Sequence, residues 1–255
     1  MPDKKIPIIC EPYSESAQVY DAMMADVDYI SWADYIADII EQEKLQVDKI
    51  ADISCGTGLL MKALENDYPN LFGFDNSEDM LNIARSNYPD ISVMNADMNK
   101  LPKDLHFDLF VNIHDALNYF QSPDDITEHL QLMTEHLKEG AAYFFDFALP
   151  LLIENYFANT VEEGEGPGEC HFRRENTWNI DSSTCETKIL ISKPDDREKI
   201  YLEKHVQKIY TLDEIREMCS KVKNASFRFY KEFTFEEADD SCERLFMVMR
   251  YDPLC

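Results

Sequence analysis

The chain is predicted to fold as an α/β protein with a doubly wound, mostly parallel sheet of seven strands and an antiparallel β insert after the fifth. Three observations lead there. From about residue 49 to 149, short apolar runs alternate with helix-like segments, which puts helices on both faces of a parallel sheet. Between 171 and 209 the rhythm changes to strands punctuated by turn residues. The 255 residues, 45% of them hydrophobic, suffice for a sizeable core.

Taken in order, ESAQVYDAMMADVDYISWADYIADII (15–40) reads as two helices. Val19, Tyr20, Met23, Met24 and Val27 share one helical face, and Trp32, Ile36, Ile39 and Ile40 share another after a break near Asp28. KIADIS (49–54) is the first clear strand and 57–66 the next helix. LFGFD (71–75) is a strand, after which Ser77 can cap a helix whose first turn carries Glu78 and Asp79. Strands are expected at 91–96 and 107–113, the second apolar at most positions, as a strand covered on both faces should be. Ser122-Pro123-Asp124-Asp125 opens a helix that Gly140 closes. AAYFFDFAL (141–149) is the fifth parallel strand. Three antiparallel strands are expected within 171–209, and VEEGEGPGE (161–169) is expected to be a mobile loop. Thr211 and Glu214 form a capping box for a last helix, followed by strands near 225–232 and 244–251.

The net charge of −26 repels nucleic-acid phosphates, and no basic stripe offsets it. A neutral or cationic small molecule is the better-matched ligand, and no nucleic-acid partner is expected. No apolar run approaches the ~20 residues of a membrane span, and the N-terminus lacks a signal-peptide pattern. A cytoplasmic protein, monomeric or homodimeric, is expected. The seven cysteines include no CxxC pair and fit reduced thiols, with a bridge between Cys170 and Cys185 as the minor alternative. The histidines show no HxH or HExxH spacing, so no metal site is expected.

ADISCGTGLL (51–60) places a tight turn between the first strand and a helix, where backbone N–H groups can meet a ligand. A dinucleotide loop GxGxxG would need glycine at 54, 56 and 59, but the residues are Ser54, Gly56 and Leu59. No GK[ST] follows, so a P-loop is also excluded. Asp75 ends the second strand, where an acid can accept hydrogen bonds from both ribose hydroxyls.

Asp52-Ile53-Ser54-Cys55-Gly56-Thr57-Gly58 resembles the first motif of the class I S-adenosylmethionine-dependent methyltransferases, with Ser54 where that family most often has glycine. FDNSEDMLNIAR resembles the segment that follows the ribose acid, NADM (95–98) the adenine motif, and FDLFVNIHDALNYF the fourth motif. The resemblance implies a Rossmann-like fold and S-adenosyl-L-methionine as cofactor. It implies cofactor contacts from Asp52, Ser54, Gly56, Gly58, Asp75, Asn76, Met80, Asp97, Met98 and Ile113, with Tyr13 or Tyr20 covering the methionine end. It further implies a helical cap (1–45), a cofactor-binding domain (46–160 and 211–255) and an insert (161–210) that roofs the substrate site, as in small-molecule N- and O-methyltransferases. Each contact residue also has a plain structural reading: Asp52 as a strand-end cap, Asp75 as a turn residue, Met80 as core and Asp97 as a surface acid.

The implied reaction transfers a methyl group to a small-molecule amine, hydroxyl or carboxylate. An amine acceptor must lose a proton, for which a carboxylate or imidazole serves. The catalytic candidates are His114, Asp115 and Tyr119, after the fourth strand. The substrate-binding candidates are Asp146 in the fifth strand, Trp178 and His205 in the insert, and Arg244 in the last strand. His114 could equally serve a structural hydrogen bond, Asp115 could cap the next turn, and Arg244 could sit in an ion pair. Two alternatives stay open: a catalytically inactive protein that binds the same cofactor, and a protein methyltransferase whose acidic surface recruits a basic target.

Overall fold

The structure, a computed structural model, describes residues 6–102, 105–137, 140–196 and 198–252. The chain begins with β1 (Ile8–Cys10) and α1 (Tyr20–Met23). Helix α2 (Tyr29–Gln42) starts where the Asp28 carboxylate accepts from the N–H groups of Ile30 and Ser31 at 3.1 and 3.0 Å, the break expected there. Then follow β2 (Lys49–Ile53), α3 (Leu59–Leu64), β3 (Asn70–Asp75), α4 (Glu78–Asn87), β4 (Ser92–Asn95), β5 (Leu109–Asn112), α5 (Pro123–His136) and β6 (Ala142–Ala148). A short turn of helix, α6 (Pro150–Leu152), leads into β7 (Val161–Gly166), β8 (Cys170–Asn179), β9 (Thr184–Ser192) and β10 (Tyr201–Lys208). Helix α7 (Leu212–Ser220), β11 (Ala225–Lys231) and β12 (Arg244–Tyr251) complete the chain.

The caps read from sequence form as expected. Ser77 Oγ accepts from Met80 N at 3.2 Å, and Ser122 Oγ from Asp125 N at 3.2 Å. Thr211 and Glu214 bond each other reciprocally. Helix α5 stops at His136, short of Gly140; Gly140 has a φ of 92°.

The main sheet has seven strands in the order β11-β12-β6-β5-β2-β3-β4. Every pairing from β6 through to β4 is parallel; β12 runs antiparallel to both its neighbours. After β2 the chain adds β3 and β4 on one side, then returns to place β5 and β6 on the other. This reversal opens a crevice at the C-terminal ends of β2 and β5, where ligands bind in open α/β sheets. Successive residues of β6 feed opposite cores. Phe144 joins Trp32, Ile36 and Phe246 under α2, while Phe145 joins Ile126, Leu130 and Ile215 under α5 and α7. Of the residues 1–45 expected to form a cap, those of α2 therefore pack on the main sheet.

A second sheet of five strands has the order β1-β10-β9-β8-β7. The three antiparallel strands expected within 171–209 are β8, β9 and β10; β7 adds a fourth before them, and β1 a fifth by pairing parallel to β10. The expected mobile loop at 161–169 is mostly β7, paired with β8 over Val161–Gly166. Its glycines are packing residues here. A Cβ on Gly164 would lie 2.4 Å from the Phe172 ring, and one on Gly166 would lie 2.7 Å from Val19. Cys170 and Cys185 are free thiols; β9 sets Cys185 opposite Trp178, so they do not face one another.

Candidate active site

At the C-terminal edge of β2 the backbone turns sharply, with left-handed φ values at Ser54 (66°), Gly56 (54°) and Gly58 (86°). Ser54 thus adopts the conformation that a glycine would take most easily. The turn is held by Asp75, whose Oδ2 accepts from Gly56 N and Oδ1 from Ser77 N, both at 2.8 Å. Above it lies a cavity of about 570 Å³, in the range of small-molecule sites. Asp52, Ser54, Gly56, Asp75, Asn76, Met80, Asp97, Met98 and Ile113 line it, and so do Tyr13 and Tyr20. Gly58 does not. It lies behind the turn, where a Cβ would meet Ile91 at 3.0 Å, and it starts α3.

The N-terminal segment closes this cavity through three attachments besides the Asn87–Asp21 bond and the Lys193–Glu15 ion pair. Ser77 Oγ donates to Tyr13 O at 2.8 Å, and Thr57 Oγ1 donates to Asp21 Oδ1 at 2.6 Å. The third is Glu203 of β10, which is fully buried. Its carboxylate accepts from the backbone N–H groups of Tyr13, Glu15 and Ser16 at 3.0, 2.6 and 2.8 Å. Against the opposing cost of burial, the hydrogen bond to His205 and those to Ser16 hold the Glu203 carboxyl below its usual pKa.

Beyond the first cavity lies a second of about 360 Å³, beneath the five-stranded sheet. Tyr13, Tyr20, His114 and Tyr119 line both, forming the wall where the two meet. Asp115, His205 and Arg244 line the second, together with Asn176, Thr187 and Gln207. His114 and Asp115 have φ values of 65° and 53°, two consecutive left-handed residues where β5 runs into the site. The His114 ring packs on Tyr29 and Trp32, and its Nε2 is buried without a hydrogen-bond partner among the described residues. Burial, with Arg244 adding to it, lowers its pKa to about 4, so it is neutral at neutral pH.

The ion-pair reading of Arg244 is the one the fold realises. Its guanidinium bonds Asp146, Asp115 at 2.7 Å and Glu232 at 3.1 Å. Asp115 makes no cap bond to the turn after it; its Oδ2 accepts from Gln207. Asp146 is wholly buried in β6, where it accepts from Asp115 N at 2.8 Å, and it lines neither cavity. Its full burial in β6 and its pairing with Arg244 keep it out of both cavities. Trp178 is also displaced from the expected position. It shares a strand face with Arg174 and Asn176 but lies past the cavity, packed in the cluster with Leu152 and Phe157.

The first cavity suits a cationic nucleoside. Asp52 and Asp75 are both buried there. Burial, with Asp75 adding to it, pushes the Asp52 carboxyl well above its usual pKa, and burial raises Asp75 despite its N–H donors. A ligand bearing positive charge relieves two acids confined in this way. The glycine turn leaves backbone open toward the ligand, since a Cβ on Gly56 would touch only Met80 and Tyr20, at 3.5 and 3.9 Å.

Residues 50–140, which span this turn, Asp75 and Asp97, match the family described as a methyltransferase domain. The chain carries a methyltransferase domain and is an S-adenosylmethionine-dependent methyltransferase. It is 25% identical over 241 residues to YqeM of Bacillus subtilis (strain 168), a relative whose name specifies a methyltransferase but no acceptor; the alignment covers 92% of this chain and 95% of that one. It is 27% identical over 128 residues to the dTDP-3-amino-3,4,6-trideoxy-alpha-D-glucopyranose N,N-dimethyltransferase of Streptomyces venezuelae, covering 49% of this chain and 54% of the relative. The fold is also that of an S-adenosylmethionine-dependent methyltransferase from Clostridium acetobutylicum ATCC 824, with a TM-score of 0.77 and 23% identity over 92% of this chain and 97% of that one. Among the described residues of the methyltransferase, no helix is long and apolar enough to cross a membrane.

Sequence reasoning missed Glu203 and the attachments at Asp21, Thr57 and Ser77. A signal for Glu203 was present. Glu203, His205 and Gln207 alternate along β10, so one face of that strand is polar where a core strand would be apolar.

Proposed function

We propose that this methyltransferase methylates the amine nitrogen of a small polar molecule held in the second cavity. The observation that carries the reading is the charge of that cavity. Arg244 faces three carboxylates, and the other arginine lining it, Arg174, is paired with Glu162. Among the described residues both guanidiniums lining the cavity are already ion-paired, although the buried Arg174 Nε makes no hydrogen bond, and an ammonium group fits the acidic surplus. Asn176, Thr187 and Gln207 add neutral polar groups that suit hydroxyls, as on an amino sugar. The amino-sugar dimethyltransferase relative supports the same class. The spent arginines favour an acceptor without a diphosphate.

In the first cavity, Asp75 is proposed to hold the ribose, Asp97 and Met98 the adenine edge, and Asp52 the methionine end. Gly56 and Ser54 let the chain approach closely. When bound, S-adenosyl-L-methionine supplies an electrophilic methyl group on sulfur. The protein's part is to orient the acceptor across the wall of Tyr13, Tyr20, His114 and Tyr119 and to exclude water.

Two measurements test this. Calorimetric titration with S-adenosylhomocysteine should show micromolar binding, with none for NAD. Asp75→Ala should weaken that binding by about 1–3 kcal/mol; unchanged affinity in a folded variant removes Asp75 from the ribose role. Labelled methyl transfer to a panel of amines, alcohols and carboxylic acids, half of them phosphorylated, should favour unphosphorylated amines. Transfer to alcohols alone would overturn the acceptor class.

A further inference from the structure

We propose that His205, oriented by Glu203, is the terminal proton acceptor of the methyl transfer, reached from the acceptor nitrogen through Tyr13 and Tyr119. The proposal rests on the amine reading above. It stands on a continuous hydrogen-bonded row that starts at the wall between the two cavities. Tyr13 Oη lies 2.5 Å from Tyr119 Oη, Tyr119 Oη lies 2.9 Å from His205 Nδ1, and His205 Nε2 lies 3.2 Å from Glu203 Oε2. The Tyr13 and His205 rings also meet edge to face with centroids 4.7 Å apart.

The direction of every proton in this row follows from its buried end. Glu203 is an anion that accepts from three backbone N–H groups, so Nε2 of His205 must donate to it. In the neutral ring Nδ1 is then the acceptor, Tyr119 donates to it, and Tyr13 donates to Tyr119. Burial raises both phenols far above their ordinary range, so neither is a phenolate at rest. That leaves the Tyr13 oxygen with its lone pairs free at the wall shared by both cavities.

The balance closes without any further reactant. As the new carbon–nitrogen bond forms, the donor's carbon–sulfur bond breaks with its electron pair left on sulfur. The bound ammonium has no lone pair, so it must shed one N–H proton before its nitrogen can bond the methyl carbon. That proton passes to Tyr13 Oη, the Tyr13 proton to Tyr119 Oη, and the Tyr119 proton to His205 Nδ1. The result is an imidazolium beside the Glu203 carboxylate, a compensated pair in a buried place, and both tyrosines end neutral as they began. Glu203 touches neither cavity and acts through His205, so it is a positioning residue. Because the same carboxylate fixes residues 13–16, it sets the ring of His205 and the backbone that carries Tyr13 at once. His114, neutral at the same wall, is not needed for the proton.

The test pairs a substrate-free spectrum with kinetics. Histidine 15N NMR of the full chain with S-adenosylhomocysteine bound should show His205 protonated on Nε2 at neutral pH, and Tyr119→Phe should move only the Nδ1 resonance of that ring. Against the best amine of the panel, Tyr119→Phe and His205→Asn should each lower kcat by about 10²-fold. Glu203→Gln, which keeps the side-chain shape and removes its charge, should lower kcat by at least about tenfold. In Tyr119→Phe and His205→Asn, KM for the amine and affinity for S-adenosylhomocysteine should stay within about threefold, which a merely structural role would not allow. Glu203→Gln should also weaken S-adenosylhomocysteine, because it loosens residues 13–16. An Nδ1-protonated His205, or full kcat in Tyr119→Phe, overturns the proposal. If the wild type methylates no amine yet binds S-adenosylhomocysteine, the amine reading fails, and the tautomer still decides whether the row is built as described.

Discussion

Ser54 shows how far one position can depart from a pattern without changing what the loop does. A non-glycine residue at a φ of 66° carries about 1 kcal/mol of steric cost. Glycine would remove that cost but enlarge the freedom of the unfolded chain, which offsets part of the gain. Ser54→Gly is therefore expected to stabilise the protein by about 0.5 kcal/mol, or 1–2 °C in Tm by calorimetry, with S-adenosylhomocysteine affinity within threefold. A tenfold loss of affinity would instead assign the serine hydroxyl to the cofactor. His114 and Asp115 bear the same kind of strain side by side, and there no sequence pattern announced it. Their conformation is imposed by the Arg244 pairing and by Asp146, whose carboxylate takes the Asp115 N–H. Both partners lie distant in sequence, which is why Arg244 could be read only as one of two possibilities.

At the scale of elements, what was legible is what local chemistry determines. Capping side chains at Asp28, Ser77, Ser122 and Thr211 set four helix starts, and the apolar runs of β2, β5 and β6 marked the sheet centre. Two elements were not legible. Strand β7 has the glycines and acids of a loop, and its pairing depends on Phe172 and Val19 needing the space a side chain would occupy. Strand β1 is three residues long, too short for an alternation to register, and exists because β10 offers it an edge. Of the two helices read over 15–40, the second is α2, whereas the first is only a 3₁₀ turn (Ser16–Gln18) and the four residues of α1. So short a helix is held by its attachments and not by its own turns. Thr57→Val removes the hydroxyl bonded to Asp21 while preserving shape. Amide exchange over residues 13–24 should quicken and S-adenosylhomocysteine should bind about 3–10-fold more weakly, the loss of one hydrogen bond to a carboxylate. Unchanged exchange would show that the remaining attachments, Glu203 and Ser77 among them, hold the segment without this bond.

The whole molecule carries 50 acidic against 24 basic residues, and its most buried carboxylates sit round the site, so charge sets how stability depends on pH. Burial raises Asp146 to about 6 and Glu232 to about 7, in each case against the opposing pull of Arg244. A carboxyl whose folded pKa lies above its unfolded one holds its proton more tightly in the native state. Its contribution is fully present below the unfolded pKa near 4 and is lost as pH rises through the folded value. Asp115, pulled below its usual range with Arg244 the leading cause, has the opposite sign, but its window lies under pH 4. His114 and His129, lowered by burial to about 4 and about 3, act against the carboxyls until pH passes the unfolded histidine value near 6.5. From there to pH 8 the raised carboxyls decide, and stability should fall as pH climbs. Glu232→Gln keeps a bond acceptor for Arg244 and removes one charge from the cluster. It should leave Tm unchanged at pH 5 and raise stability by about 1–2 kcal/mol at pH 8, measured by urea unfolding at both values. Repeating the pH 8 measurement in 0.5 M salt separates the two electrostatic layers. Salt screens the exposed acids and should stabilise wild type and variant alike, while the buried difference between them persists. A difference that vanished with salt would place the destabilising charge on the surface, and a variant less stable at pH 8 would make the Glu232 anion a net support of Arg244.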